Sequence, residues 1–90
     1  MATKRDTAIT PWGSAAIVEQ VTIPQRSGDK RFASIVQLLE TDAGERVVRF
    51  AYTTNGVARR GPVTLRARDL ERLRALVGDR PELAAALGLT

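Results

Sequence analysis

The stretch 46–68, RVVRFAYTTNGVARRGPVTLRAR, decides the fold. Asn55-Gly56 at its centre is the strongest short hairpin signal, because a two-residue type I′ turn needs positive φ at both central positions. Residues 46–53 read as a strand entering that turn, and residues 57–66 as a strand leaving it, bent or interrupted at Gly61-Pro62. Closing the hairpin there sets Tyr52 beside Arg59 and Val48 beside Val63. Side-chain parity then gathers Val48, Phe50, Tyr52, Val63 and Leu65 on one face, and Arg49, Thr53, Arg60, Thr64 and Arg66 on the other. The stretch holds six arginines, Arg46, Arg49, Arg59, Arg60, Arg66 and Arg68, and no Asp or Glu.

Upstream, TDAGE (41–45) suits a three-residue hairpin with Gly44 in the left-handed position of a bulge. It joins the strand 46–53 to an earlier strand, FASIVQLLE (32–40), and places Gln37 beside Arg49. A polar loop at 25–31, around Ser27-Gly28-Asp29, leads back to the β-branched run AAIVEQVTI (15–23), a first strand ending at Pro24. Residues 1–13 show neither a period of 2 nor one of 3.6 and read as a flexible arm that Trp12 anchors. Downstream the period changes: Leu70, Leu73, Leu76 and Val77 recur at helical spacing within 67–77, and Gly78 supplies a stop. Pro81 fits the first position of a short second helix, 82–87, ended by Gly88. The expected fold is α+β: one domain, 14–90, with a curved antiparallel four-stranded sheet followed by a C-terminal amphipathic helix and a short second helix.

Ninety residues with 43% hydrophobic and 27% charged side chains describe one ordinary globular domain. The net charge is +4, and twelve of the fourteen basic residues are Arg. Richness in Arg and Ala also follows from GC-rich coding, so the local clustering carries the functional reading. The chain has no Cys and no His, which removes disulfides, thiolate chemistry and the usual general base and metal ligand. A Ser or Thr nucleophile would need a Lys base, and Lys4 and Lys30 lie in segments expected to be mobile, so no enzyme is expected. Glu40, Asp42 and Glu45 flank a tight hairpin without calcium-loop spacing and read as solvated turn residues; neither a metal site nor a cofactor is expected. No stretch is apolar enough for a membrane span or a signal peptide, and a cytoplasmic location is expected.

The helix start bears on binding. Thr64 is the hydroxyl placed to cap it, yet no Glu or Gln follows three residues later, so a capping box is not expected. Arg66 and Arg68 then sit at the positive end of the helix dipole, where each cation costs a few tenths of a kcal/mol and a phosphate would reverse the sign. Asp69 and Glu71, in the first turn, are the alternative compensation. Tyr52 beside Arg59 suits either a stacking platform or a core tyrosine with its hydroxyl at the rim.

The order of strands followed by one helix, joined by RRGPVTLRARDLERL (59–73), resembles the transcriptional coactivator family called positive cofactor four. In that family a basic-Gly-apolar-Ser-Leu stretch enters the helix in the same way. The similarity covers roughly residues 32–77. It implies a homodimer of curved antiparallel sheets that binds single-stranded DNA, with helices at the dimer interface. Arg60 falls on the family's DNA-contacting basic position, and Tyr52 lies near an aromatic position at the end of the third strand. The hairpin that carries a second stacking aromatic in the family holds Thr41, Asp42, Ala43 and Gly44 here.

The leading expectation is therefore sequence-tolerant binding of single-stranded DNA, with RNA open as a ligand, through Arg49, Arg60, Arg66, Arg59, Arg68, Tyr52 and Gln37. The alternative is a protein-interaction or dimerisation module using the same face, on which Ile35, Leu39 and Val47 would bury against a partner with arginines as the rim. A homodimer is expected under either, because one short helix cannot cover a four-stranded sheet.

Overall fold

A computed structural model describes residues 6–59 and 61–89. Arg60 and residues 1–5 of the expected arm lie outside the described residues. The elements in chain order are β1 (Thr7–Thr10), β2 (Gly13–Ser27), β3 (Lys30–Thr41), β4 (Arg46–Thr54), β5 (Val57–Arg59), α1 (Ala67–Gly78) and α2 (Pro81–Ala86). The fold is α+β, as expected. Among the described residues the sheet has five antiparallel strands, in the order β1-β2-β3-β4-β5, where the sequence reading has four.

The extra strand comes from the stretch read as an arm. Thr7 to Thr10 pair with Ala16 to Gly13, with Ala8 and Thr10 buried and Ile9 exposed, a half-buried alternation too short to register as a period. The Pro11-Trp12-Gly13 break is the turn of this hairpin: the Thr10 hydroxyl donates to the Gly13 carbonyl at 2.8 Å, and the Trp12 amide donates to Thr10 Oγ1 at 3.0 Å. Nor does β2 stop at Pro24, which pairs with Ala33. Strand β1 reaches only as far as Ala16, so β2 is a sheet edge at Pro24, where a residue without an N–H is tolerated. The expected polar loop 25–31 is instead a tight turn at Gly28-Asp29, with Ser27 paired to Lys30 and Arg26 to Arg31.

The hairpin at Asn55-Gly56 forms as expected: φ is 52° at Asn55 and 77° at Gly56, and Tyr52 pairs with Arg59. The returning strand is much shorter than 57–66. Its described pairs run no further than Arg59, and from Gly61 (φ 130°) and Pro62 onward the chain is not strand, so the expected pairing of Val48 with Val63 does not form. Val63 and Leu65 are half-buried in an irregular segment leading to α1. Across the other hairpin Gln37 pairs with Arg49, as the sequence implies, and Gly44 has φ 83°.

A bulge between Ile17 and Glu19 lets β2 serve both faces of the sheet. The extra residue flips parity, so Ala15 and Ile17 join Ala8, Leu39 and Val47 on one side, while Val21 joins Val36 and Leu38 on the other. On that second side α1 and α2 cover the sheet, contributing Val77, Leu83 and Ala84, with Leu73 and Leu87 at the margin. Helix α2 is pinned by Glu19 of β2, whose Oε1 accepts from the Leu83 amide at 2.8 Å and so satisfies an otherwise uncapped helix start. Arg46 ties the β3–β4 hairpin to α2 through Glu40 and Glu82, each at 3.1 Å. Hydrogen bonds to Glu82 and Glu40 raise the Arg46 pKa above its usual value.

The face expected to be open is substantially covered. Ile35 is 6% exposed and Leu39 fully buried, because the sheet curls until β1 approaches β4: Arg49 Nη1 donates to the Ile9 carbonyl at 3.3 Å. Conversely Phe50, expected in the core, is 49% exposed on the helix side, where the helices leave β4 partly uncovered.

Candidate nucleic-acid interface

Two neighbouring concavities lie at the end of the sheet where β2 turns into β3. The first is an arginine-lined cleft of about 700 Å3 built from Pro24, Gln25, Arg26, Arg31, Arg66, Arg68, Asp69 and Arg72. The hairpin supplies Arg26 and Arg31, which stand directly opposite each other in the β2–β3 register. Like charges facing each other across strands are destabilising. Arg66 is the N-cap of α1 and Arg68 and Arg72 follow in its first turns, one helical step apart on one face.

Among the described residues, five arginines thus converge against one carboxylate. That carboxylate, Asp69, is buried and already engaged: Oδ2 accepts from the Arg66 backbone amide at 3.2 Å, and Oδ1 lies 3.9 Å from Arg72 Nη1. The half of a capping box that the sequence reading sought after Thr64 is supplied two residues later, by Asp69 acting back on Arg66. Among the described residues, Arg72 is the one cleft arginine with an ion pair. Arg26 Nε donates to the Gly28 carbonyl at 2.9 Å and Arg66 Nη2 to the Arg26 carbonyl at 3.4 Å, which orient two guanidiniums and leave their charge uncompensated. Such a cluster is suited to phosphate, which accepts several guanidinium N–H groups at once.

The second concavity, of about 430 Å3, is lined by Lys30, Arg31, Phe32, Ser34, Tyr52, Thr54, Asn55, Pro62 and Thr64. Its aromatic pair comes from adjacent strands: Ser34 is the cross-strand partner of Tyr52, and Phe32 lies two residues before Ser34, on the same face. The Tyr52 ring packs on Gly61, where a Cβ would come within 3.5 Å of it and where φ of 130° favours glycine. Gln25 Nε2 donates to Ser34 Oγ at 2.5 Å. Arg31 lines both concavities and makes them one continuous surface.

The residues nominated from sequence separate into groups. Arg66 and Arg68 line the cleft; Tyr52 lines the aromatic pocket, and Arg59 flanks it, its Nε donating to Thr54 Oγ1 at 2.6 Å. Arg49 and Gln37 are elsewhere, on the opposite face of the sheet. There Arg49 Nε donates to Gln37 Oε1 at 2.8 Å and Gln37 Nε2 to Gln20 Oε1 at 2.6 Å, a ladder across three strands that extends to the Ile9 carbonyl. This ladder satisfies a nearly buried glutamine. The expected alignment of Arg49 with Arg66 is not formed, because β5 ends before Arg66 can take its place in the register. Arg46 is occupied by its two glutamates.

Sequence reasoning missed Arg26, Arg31, Arg72, Lys30 and Phe32. The signal for the first two was present: Gly-Asp is a two-residue hairpin dipeptide, and closing the turn there places Arg26 opposite Arg31. Arg68 and Arg72 at a spacing of four share a helix face.

No protein-family model, curated protein or solved structure matches this chain. Among the described residues no cluster of three potential metal ligands occurs, and no helix is long and apolar enough to cross a membrane.

Proposed function

We propose that the chain is a single-stranded DNA-binding protein, largely tolerant of sequence and non-catalytic, acting in the cytoplasm in transcription or DNA maintenance. The observation that carries this reading is the convergence of Arg26, Arg31, Arg66, Arg68 and Arg72 on one cleft with a single, already engaged carboxylate. A polyanion relieves the mutual repulsion of these groups and the unfavourable position of Arg66 and Arg68 at the helix start. The adjoining aromatic pocket favours a single strand over a duplex, since bases inside a helix are stacked and out of reach. The resemblance of 59–73 to positive cofactor four points the same way.

The family resemblance also supports a homodimer, as do apolar side chains left in solvent on the helix-bearing side: Phe50, and Leu70 at 50% exposure on α1. The alternative contact face built on Ile35 and Leu39 loses its support, because both are buried within the chain.

Titration of a labelled oligothymidylate by fluorescence anisotropy at two salt concentrations tests the function. With about four phosphates neutralised, the log-log salt slope is about −3, so a fourfold rise in salt weakens binding about 50-fold. Competition with duplex DNA and with single-stranded RNA ranks the ligands. Absent or salt-independent binding rejects the proposal.

A further inference from the structure

We propose that the pocket between Phe32 and Tyr52 seats one unstacked nucleobase of the bound strand, while Arg31 at its edge holds that nucleotide's phosphate. This rests on the single-strand reading above and adds to it a base-binding site separate from the phosphate-binding cleft.

The chemistry of the lining selects the occupant. Two half-buried aromatic rings, from neighbouring strands and on one face, offer a planar ligand stacking or edge contact. The volume of about 430 Å3 falls toward the small end of the ~300–1,000 Å3 typical of small-molecule sites, room for one base with its sugar at the mouth. The Tyr52 ring rests on the backbone at Gly61, so the platform is set before ligand arrives. Among the described residues Lys30 and Arg31 are the cations of the lining, and Arg59 flanks it through its bond to Thr54, as an occupant with an anionic end requires. Because Arg31 belongs also to the arginine cleft, a strand whose base enters the pocket runs its backbone directly into the cleft.

The polar rim explains tolerance of sequence. Thr54 and Thr64 present hydroxyls, each able to donate or accept by rotation, Asn55 presents an amide with both functions, and the Ser34 hydroxyl lies buried behind them. Thr54 and Ser34 are already oriented, the first accepting from Arg59 and the second from Gln25. A rim of this kind can meet any base edge and carries no fixed donor–acceptor code that rejects three bases of four. An apolar peptide side chain would leave these groups and the two cations unmatched.

The experiment compares an oligothymidylate with an abasic deoxyribose-phosphate strand of the same length, titrated against the intact protein and against Phe32→Leu and Phe32→Tyr. Base stacking is expected to make the thymidylate bind about 5- to 150-fold more tightly than the abasic strand, with the same salt slope of about −3 for both. Phe32→Leu, which keeps apolar volume, is expected to erase most of that preference without changing the slope; Phe32→Tyr is expected to retain it. Equal affinity for the two strands, or a preference untouched by Phe32→Leu, overturns the pocket while salt-dependent binding leaves the single-strand reading standing. Absence of salt-dependent binding to either strand overturns both.

Discussion

Under the proposed function, Arg31 is the residue at which stability and binding are set against each other. It faces Arg26 directly across the β2–β3 ladder, lines both concavities and has no ion pair among the described residues. Arg31→Gln removes one charge of the facing pair and keeps most of the aliphatic stem. Both arginines are exposed, so the relief is at the lower end of cross-strand charge effects, about 0.2–0.5 kcal/mol. For a domain of this size that raises the midpoint of thermal unfolding by about 1–4 °C. The gain is expected in low salt and fades near 1 M, where screening shortens the range of repulsion to about 3 Å. In the same variant, oligonucleotide affinity is expected to fall about tenfold, the equivalent of one charge-assisted hydrogen bond at about 1.5 kcal/mol, and the salt slope to become shallower by about 0.7. Thermal unfolding followed by circular dichroism, with and without salt, and anisotropy titration supply both readings. A variant less stable than the parent in low salt, or one that binds DNA as the parent does, refutes the assignment of Arg31 to an anion-binding cleft.

Arg49→Met removes the donor that Gln37 Oε1 and the Ile9 carbonyl share, and is expected to cost about 1–3 kcal/mol in urea denaturation while leaving the salt slope of DNA binding intact; a shallower slope would return Arg49 to the contact surface. Leu83→Ala, at a fully buried position on α2, is expected to cost about 2–5 kcal/mol, and a loss below 1 kcal/mol would mean that α2 does not pack on the sheet as described. Light scattering at micromolar concentration is expected to give twice the chain mass of 9.8 kDa, and the double substitution Phe50→Glu with Leu70→Glu to give the single mass; a parent chain that is already monomeric rules out the dimer.

The legible parts of the fold were those written in short-range chemistry. Asn55-Gly56 demands a type I′ turn whatever surrounds it, and that single dipeptide set the register of Tyr52 against Arg59. The spacing of Leu70, Leu73 and Val77 announced α1 with nearly correct bounds. What failed depended on the third dimension. Pro24 ends a strand only where its N–H is needed, and whether β1 reaches that far is a tertiary fact. Ile35 and Leu39 looked exposed by parity, since a flat sheet has an uncovered side; curling of the sheet, with Arg49 reaching the Ile9 carbonyl, buries them. The bulge at Ile17/Glu19 has no Gly or Asn to mark it, yet it decides which face each residue of β2 occupies. The site was half visible for the same reason. A cluster of arginines within 46–68 is plain in one dimension, whereas its convergence with Arg26 and Arg31 requires the β2–β3 turn to meet the start of α1.

The most direct measurement is the salt dependence of oligothymidylate binding by the parent chain and by the triple variant Arg31→Gln, Arg66→Gln, Arg68→Gln. A parent slope of about −3 that becomes shallower by about 2 in the variant, with the unfolding midpoint of the free protein unchanged or raised, is the expected result. Equal slopes for the two proteins, or no binding by the parent, contradict the claim that this arginine cleft is where a nucleic-acid strand is held.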